Sequence, residues 1–548
     1  MAEQTAATTE TAAPGPFEIP VFRAIWFASM VSNLGGLIQS VGASWMMTSI
    51  AHSPTLVALV QASTTLPIML LSLLAGAIAD NRDRRRVMIA AQSFMLLVSA
   101  LLSFFAWSGW LTPWLLLAFT FLIGIGTAFN APSWQASVGD MVPRATLPAA
   151  VAMNGMGFNI ARSIGPAIGG AIVAAAGAAA AFLVNAVSYI GLIFVLLRWQ
   201  PARIERTLPP EPLHVAMGAG LRYVSMSPDL RAVILRAGLF GLAAAAVPAL
   251  MPLVAKHLMS GGPLTYGALL GAFGIGAVAG AFGARRLRQR MEAEAIVRIA
   301  TLALALGAMG AGVSRSLPAT IAFLFIGGAG WVTALSTFNV TVQMASPRWV
   351  VGRSLALYQM SAFGGMALGA WGFGELAAQR GVDFALIAAG AFQLLSVAAG
   401  FAVALPSVSQ LDLDPLSRWS EPDIAVPVEP RSGPIVITIE YRIEERDVPA
   451  FLTEMAERRR IRIRDGARHW TLLRDLNVEQ LWIERYHVAT WTEYVRHNQR
   501  RTKADAALSD RIRALHKGPV PFVVHRMIER QTGSLPEPQT REIDEGIG

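Results

Sequence analysis

No cysteine occurs in the 548 residues. That excludes disulfides, thiolate metal sites and a cysteine nucleophile. Charge is scarce: Asp, Glu, Lys and Arg make up 15% of the chain, against about 25% in a soluble globular protein. Lysine stands only at Lys256, Lys503 and Lys517, so the basic residues are almost all Arg, a composition bias without functional content. No phosphate-binding loop is found, which argues against ATP hydrolysis by this chain. Residues 1–19 are rich in Ala, Thr, Glu and Pro and have no basic region. They read as a disordered leader and not as a signal peptide.

What is abundant is apolar sequence. The AVILMFWYC set accounts for 54% of the residues, the composition of a membrane protein. Twelve apolar runs, each of about 20 residues or more and able to span a bilayer, cover roughly 20–46, 54–79, 87–107, 113–138, 147–176, 179–197, 232–256, 264–284, 294–313, 318–343, 353–378 and 384–405. The longer, polar stretch 198–231 divides them into six and six. The domains expected are a leader at 1–19, a six-helix bundle at 20–197, a central loop at 198–231, a second six-helix bundle at 232–405, a linker at 406–432, a small α+β domain at 433–531 and a disordered tail at 532–548.

Charge gives an orientation. Residues 1–405 hold 23 basic and 13 acidic residues, and residues 406–548 hold 22 and 23. The apolar part is the basic part, which points to membrane topology and not to nucleic acid. Arg82 and Arg84 to Arg86, the central-loop arginines, and Arg285, Arg286, Arg288 and Arg290 fall on one side if the runs alternate. The positive-inside rule then places both termini and the central loop in the cytoplasm, with the bundle multi-pass in the plasma membrane.

The halves repeat. An offset of 204 residues carries Gly76 onto Gly280, Arg82 and Arg84 onto Arg286 and Arg288, Phe121, Gly124 and Gly126 onto Phe325, Gly328 and Gly330, Pro143 onto Pro347, and Gly165 onto Gly369. Two six-helix halves of the same topology meeting around a midplane site are expected.

The segment Gly76-Ala-Ile-Ala-Asp80-Asn-Arg82-Asp-Arg84-Arg85-Arg86 resembles the major facilitator superfamily motif between helices 2 and 3. That motif has Gly, Asp four residues later, and Arg at +6, +8 and +9. Asp83 departs from it, since the family usually has Gly there, and Ala284 replaces the Asp in the second copy. Gly165-Pro166-Ala-Ile-Gly169-Gly170 resembles the helix-5 motif of antiporter-type drug exporters. Residues 20–405 resemble the branch that contains enterobactin exporters and transmembrane secretion effectors, through Phe129 to Trp134 and Asn154 to Gly170. The resemblance implies an all-α membrane protein of twelve transmembrane helices in two repeats. It further implies a proton-coupled exporter with no enzymatic activity and no cofactor. Gly76, Asp80, Arg82, Arg84 and Arg85 would form a latch, with Asp80 docking on the start of helix 11 near Gly352 and Arg353.

Candidate substrate groups are the polar and aromatic residues inside apolar runs, because a side-chain amide in lipid needs partners. They are Asn33, Asn130, Trp134, Asn159, Arg162, Asn339 and Tyr358. Arg162 lies about 22 Å into its run at 1.5 Å per residue, where a charge costs about 3 kcal/mol or more. It contacts an anionic or catechol-like substrate, or it is buried in a glycine-lined helix interface with Gly155 and Gly169. Glu375 is the candidate for proton coupling; its place near the outer end suits a structural role equally.

After Pro406 the pattern becomes β-α-β-β-α-β, with strands near 435–443, 467–474, 481–488 and 522–527 and helices near 448–462 and 491–516. That order is the ferredoxin-like arrangement. It resembles small domains related to antibiotic-biosynthesis monooxygenases, which implies pairing into a homodimer. His469, His487, His497, His516 and His525 show no metal-ligand spacing. Two other readings stay open: a membrane-anchored sensor whose tail carries the activity, and a transporter fused to a monooxygenase-like domain. Partners expected are the lipid bilayer, a small molecule and protons.

Overall fold

Proline marks where the chain enters its helices. Pro20, Pro54, Pro113, Pro228 and Pro263 each open one, because the first turn needs no N–H from its first residue and favours the fixed φ of proline. The computed structural model describes residues 15–51, 53–143, 146–200, 213–347, 349–406, 413, 421–518 and 522–529. The side chains of Asp80 and Asn159 lie outside what is described, as do residues 1–14, 201–212 and 530–548. The chain divides into two compact units, Met1–Leu411 and Asp412–Gly548.

The first unit is helical. It contains α1 (Pro20–Ile50), α2 (Pro54–Asn81), α3 (Arg84–Trp107), α4 (Pro113–Met141) and α5 (Leu147–Arg198). Then come α6 (Leu213–Met226), α7 (Pro228–Ala244) and α8 (Ala246–Leu253), which ends in a π-helical turn, Val254–Leu258. The unit closes with α9 (Pro263–Arg288), α10 (Ala293–Val313), α11 (Leu317–Met344), α12 (Val351–Arg380) and α13 (Val382–Ala402). Among the described residues, ten helices are long and apolar enough to cross a membrane. One of the ten contains a break at Gly177, with φ 78° and ψ 172°, a conformation that only glycine adopts without strain. The 30-residue α12 falls outside the ten, since glycine and polar residues dilute its apolar content. The central stretch expected as a loop holds the amphipathic helix α6 and the first turn of α7.

In the first set α1 packs on α5, and α2 and α3 pack on α4; in the second α7 packs on α12, and α9 and α10 pack on α11. Matching glycines make matching contacts. Gly124 on α4 abuts Thr64 and Pro67 of α2, and Gly328 on α11 abuts Phe273 of α9. Gly126 faces Met95 of α3, and Gly330 faces Ala300 of α10. Gly165 meets Leu37 of α1, and Gly369 meets Leu242 of α7. The two sets join through α2 against α12 and α5 against α9. We call the end with the α1–α2 connection the hairpin end and the end with Arg82 to Arg86 the basic end.

The second unit has a four-stranded sheet. Its elements are β1 (Ile435–Arg442), α14 (Val448–Arg464), β2 (Arg468–Arg474), β3 (Leu481–Val488), α15 (Trp491–Gln499), α16 (Lys503–Leu515) and β4 (Val524–Ile528). The strand order is β2-β3-β1-β4, with every neighbouring pair antiparallel. Ile437, Tyr441, Phe451, Met455 and Tyr486 form the centre of its core. The single helix expected over 491–516 is two. Thr502 caps α16 by accepting from Asp505 N, while Thr502 N donates to the Asp505 carboxylate at 2.9 Å. This reciprocal cap starts a new helix.

Packing this tight predicts a contrast between two glycines. A Cβ at Gly276 would collide with the backbone carbonyl of Phe325, whereas one at Gly191 meets nothing within 4 Å. Gly276→Ala should cost about 1–3 kcal/mol by overpacking and lower the melting temperature in detergent. Gly191→Ala should leave it unchanged, and equal effects would refute the packing.

Candidate functional site

Two arginines in the first turn of α3 hold local structure. Arg84 donates from Nη1 to Asp140 Oδ2 at 2.9 Å and to the Ala136 carbonyl at 3.1 Å, tying the connection to α4. Arg85 donates to the carbonyls of Leu196 and Leu197 at 2.8 and 2.7 Å. These are last-turn carbonyls of α5, where a cation complements the helix dipole. Asp83, the departure from the motif, is the N-cap of α3 and accepts from Arg86 N. Arg82 is exposed. Neither Gly76 nor Gly352 would carry a Cβ within 4 Å of another group, while Gly220 of α6 abuts Arg353 of α12 at the basic end.

The hairpin end is different. Lys256 Nζ donates to the Thr48 carbonyl at 2.6 Å, joining the π-helical turn to the end of α1. Thr55 Oγ1 donates to Glu375 Oε2 at 3.0 Å, joining α2 to α12, and Gln379 donates to the other carboxylate oxygen at 2.9 Å. Trp45 stacks on Tyr266 with centroids 6.3 Å apart. A Cβ on Gly170 would lie 2.8 Å from Gly267 Cα, so α5 and α9 touch backbone to backbone. Pro166, buried on α5, precedes this contact, and Gly169 sits against Ile38 and Val41 of α1. The two sets are therefore closed on each other at the hairpin end.

Arg162 sits at the inner limit of this seam. Its carbonyl would be 2.5 Å from a Cβ at Gly274, and its guanidinium lies over Trp331 of α11, 5.7 Å from the ring centroid. Among the described residues it makes no hydrogen bond or ion pair. Gly155, expected to share a packing face with it, meets nothing within 4 Å. On the outside of the same seam, α5, α9 and α11 enclose an apolar groove of about 940 Å³ lined by Ser163, Ile164, Ile168, Ile275 and Phe325.

No hydrogen bond or ring contact joins any two of Asn33, Asn130, Trp134, Arg162, Asn339 and Tyr358. Asn33 is exposed on α1. Asn130 keeps a buried side-chain oxygen without a donor. Trp134 packs against a cluster containing Phe22, Met88 and Met141. Asn339 accepts from Gln343, and buried Tyr358 donates to the Leu335 carbonyl at 3.2 Å. Gln39, Ser99 and Asn185 satisfy one another between α1, α3 and α5.

Two ionic clusters escaped the sequence reading. In the first unit, Arg236 of α7, 2% exposed, pairs with Glu294 of α10 at 3.2 Å, and Arg298 pairs with the same carboxylate at 2.8 Å. In the second, the fully buried Glu484 of β3 accepts from Arg458 and Arg462, each at 3.1 Å, from Tyr441 Oη at 2.7 Å and from Trp470 Nε1 at 3.0 Å. Burial alone would raise this carboxyl, but the two guanidinium groups and the hydrogen bonds hold it well below the usual carboxylate range. The signal was present: Trp482, Glu484 and Tyr486 share one strand face. Buried His497 contacts Arg462 Nη1 at 2.9 Å, so its Nε2 is the acceptor. Burial and Arg462 keep it neutral. Among the described residues no His/Asp/Glu group could hold a metal.

The family described as transmembrane secretion effector matches residues 11–532. The staphyloferrin A transporter of Staphylococcus aureus is 32% identical over 34% of this chain and 46% of its own length. The multidrug efflux pump Tap of Mycolicibacterium fortuitum is 26% identical over 71% of this chain and 96% of its own. The enterobactin exporter EntS of Shigella boydii is 27% identical over 69% and 90%. A bacterial homologue of the human lysosomal transporter Spinster matches in structure, with TM-score 0.58 at 15% identity over 71% of this chain and 97% of that one. At that identity the likeness concerns the fold alone.

The Glu484 cluster predicts acid lability of the tail. Glu484 is depressed in the fold, so its stabilisation is present above the unfolded value near pH 4.3 and lost as pH falls further. His497 must charge on unfolding, so its contribution begins to fall below about pH 6.5. Melting of isolated residues 412–548 should weaken below about pH 6.5 and steepen below about pH 4.3, with His497→Gln removing the upper phase. Glu484→Gln should cost about 3–5 kcal/mol by leaving buried guanidinium groups uncompensated. A flat profile from pH 7 to 4 would contradict the cluster's role.

Proposed function

Because the chain belongs to the transmembrane secretion effector family, it is a multi-pass membrane transporter and not an enzyme, and we propose that it exports a small apolar or siderophore-like molecule in exchange for protons by alternating access. The observation that carries this is the closure of the two sets on each other at the hairpin end, through the α2–α12 and α5–α9 seams. A bundle shut at one end is half of an alternating-access cycle. The relatives named for staphyloferrin A, enterobactin and multidrug efflux support the substrate class.

The twelve-helix reading counts α5 as two spans about Gly177 and adds α12 to the ten. The matched glycine contacts support two six-helix repeats about an axis normal to the membrane. The positive-inside rule puts the basic end in the cytoplasm of a plasma-membrane protein, together with both termini and the tail. The tail's strand order supports a ferredoxin-like domain, which we read as a homodimer contact.

Magnitudes support a wet, substrate-facing Arg162. A cation over an indole face gains about 0.5–2 kcal/mol, less than the roughly 3 kcal/mol that the charge costs at that depth. The remainder calls for water or an anionic group. Asn130, with its unsatisfied oxygen, suits the same cavity. Asn33, Trp134, Asn159, Asn339 and Tyr358 complete the proposed wall. Asp80 with Gly76, Arg82, Arg84 and Arg85 closes the cytoplasmic end in the other state by docking near Gly352. Gly165, Pro166, Gly169 and Gly170 form the pliable outer seam. Glu375 couples protons to the α2–α12 seam, since protonation weakens its acceptance from Thr55.

Efflux is the test. Cells lacking their own major exporters are loaded with a siderophore or a lipophilic dye, with and without a protonophore. Wild-type efflux should collapse with the proton gradient. Asp80→Asn and Glu375→Gln should each cut it about tenfold, or about 1.4 kcal/mol, at equal membrane levels. Arg162→Ala should abolish siderophore efflux. Efflux that ignores the protonophore would sink the coupling.

A further inference from the structure

The tail carries a charged cluster that the transport cycle does not require. Glu484 takes both Arg458 and Arg462. Arg501, at the turn between α15 and α16, adds a third guanidinium. Its Nη2 donates to Ser509 Oγ at 2.9 Å, the same oxygen that accepts from Arg458 Nη1 at 3.1 Å. Among the described residues Arg501 has no carboxylate within ion-pair distance. Three guanidinium groups therefore converge where one carboxylate serves two of them. The nearby carboxylates are engaged elsewhere: Asp465 and Asp505 both pair with Arg464, and Asp505 also holds the α16 cap. His497 is neutral and supplies no negative charge.

These groups enclose a void. Arg458, Arg462, Arg501, His497 and Ser509 line a polar cavity of about 20 Å³ between α14, α15 and α16, together with Asp465 and Asp505, whose carboxylates are both paired with Arg464. That is room for one water-sized occupant and too little for a phosphate or an organic acid. Arg458 Nη2, Arg462 Nη2 and Arg501 Nη1 have no protein acceptor among the described residues.

We infer that this cavity is a binding site for a small monovalent anion of chloride size, held by Arg458, Arg462 and Arg501 and closed by Ser509. The chemistry is complementary. Buried like charges repel, and an enclosed anion with several charge-assisted donors offsets that repulsion. Burial and the neighbouring arginines push Arg501 down to about 10, the direction expected of a guanidinium crowded by its own kind. Because the site joins α14 to the α15–α16 turn, occupancy stiffens the helical layer of the tail. Water in the same void would satisfy donors but leave the charge excess.

The site is read by hydrogen exchange of the full-length protein in detergent at pH 7, in sodium chloride and in sodium gluconate of equal ionic strength. Peptides spanning Arg458 to Asp465 and Thr502 to Ile512 should exchange about fivefold more slowly in chloride. Peptides of α1 to α13 should not respond. Arg501→Gln should erase the difference, and Arg501→Lys, which keeps the charge, should retain part of it. Identical exchange of wild type in the two salts overturns the site and leaves a water-filled void. A chloride effect that persists undiminished in Arg501→Gln overturns the assignment to this cavity. Should Arg501→Gln loosen the tail in both salts, the wild-type comparison alone decides.

Discussion

The α5–α9 seam, where two backbones touch without intervening side chains, is the constraint on which the bundle depends. In hydrocarbon no water drives helices together, so association rests on close packing. Gly170 and Gly267 permit that packing on one side, and Gly374 against Ala58 and Thr55 does so between α12 and α2. Seams built from backbone and small residues have few interlocked side chains to disengage. Two rigid sets can therefore part along them, while larger residues within each set, such as Phe273 against Trp331, keep the sets intact.

Charge is handled by depth. At the basic end, cations cap helices or pair with carboxylates, as Arg85 does with α5 and Arg84 with Asp140. At the hairpin end, Lys256 and Glu375 each cross the seam through one hydrogen bond. Between them, Arg162 has, among the described residues, only the face of Trp331. A charge held this lightly responds to what enters the cavity, whereas Arg236, locked onto Glu294 and the Val403 carbonyl, does not.

Much of this could be read from the sequence because it is local or periodic. Apolar runs mark the spans, Pro marks helix starts, and a 204-residue offset marks pairs such as Gly124 and Gly328 whose contacts correspond. What could not be read depends on partners distant in the chain. Lys256 meets Thr48 across 208 residues and Thr55 meets Glu375 across 320, and nothing local to either residue names the other. The non-helical Gly177 falls where the sequence separates the apolar runs 147–176 and 179–197. Among the site residues, Trp134 and Tyr358 carried an aromatic signal that burial and cavity lining share. Glu484 was overlooked because a lone carboxylate within an alternating strand reads as a solvent-facing residue. Its neighbours Trp482 and Tyr486 point to the core face instead.

The central claim is that the two ends open in alternation, and distances between spin labels test it most directly. The absence of native cysteine lets Arg82→Cys with Gly352→Cys report the basic end, and Ser49→Cys with Ala378→Cys report the hairpin end. The protein would be held in nanodiscs at pH 8 and at pH 5.5. The account predicts that the two distances shift in opposite directions between these conditions. Two distances that stay fixed, or that lengthen together, would contradict it.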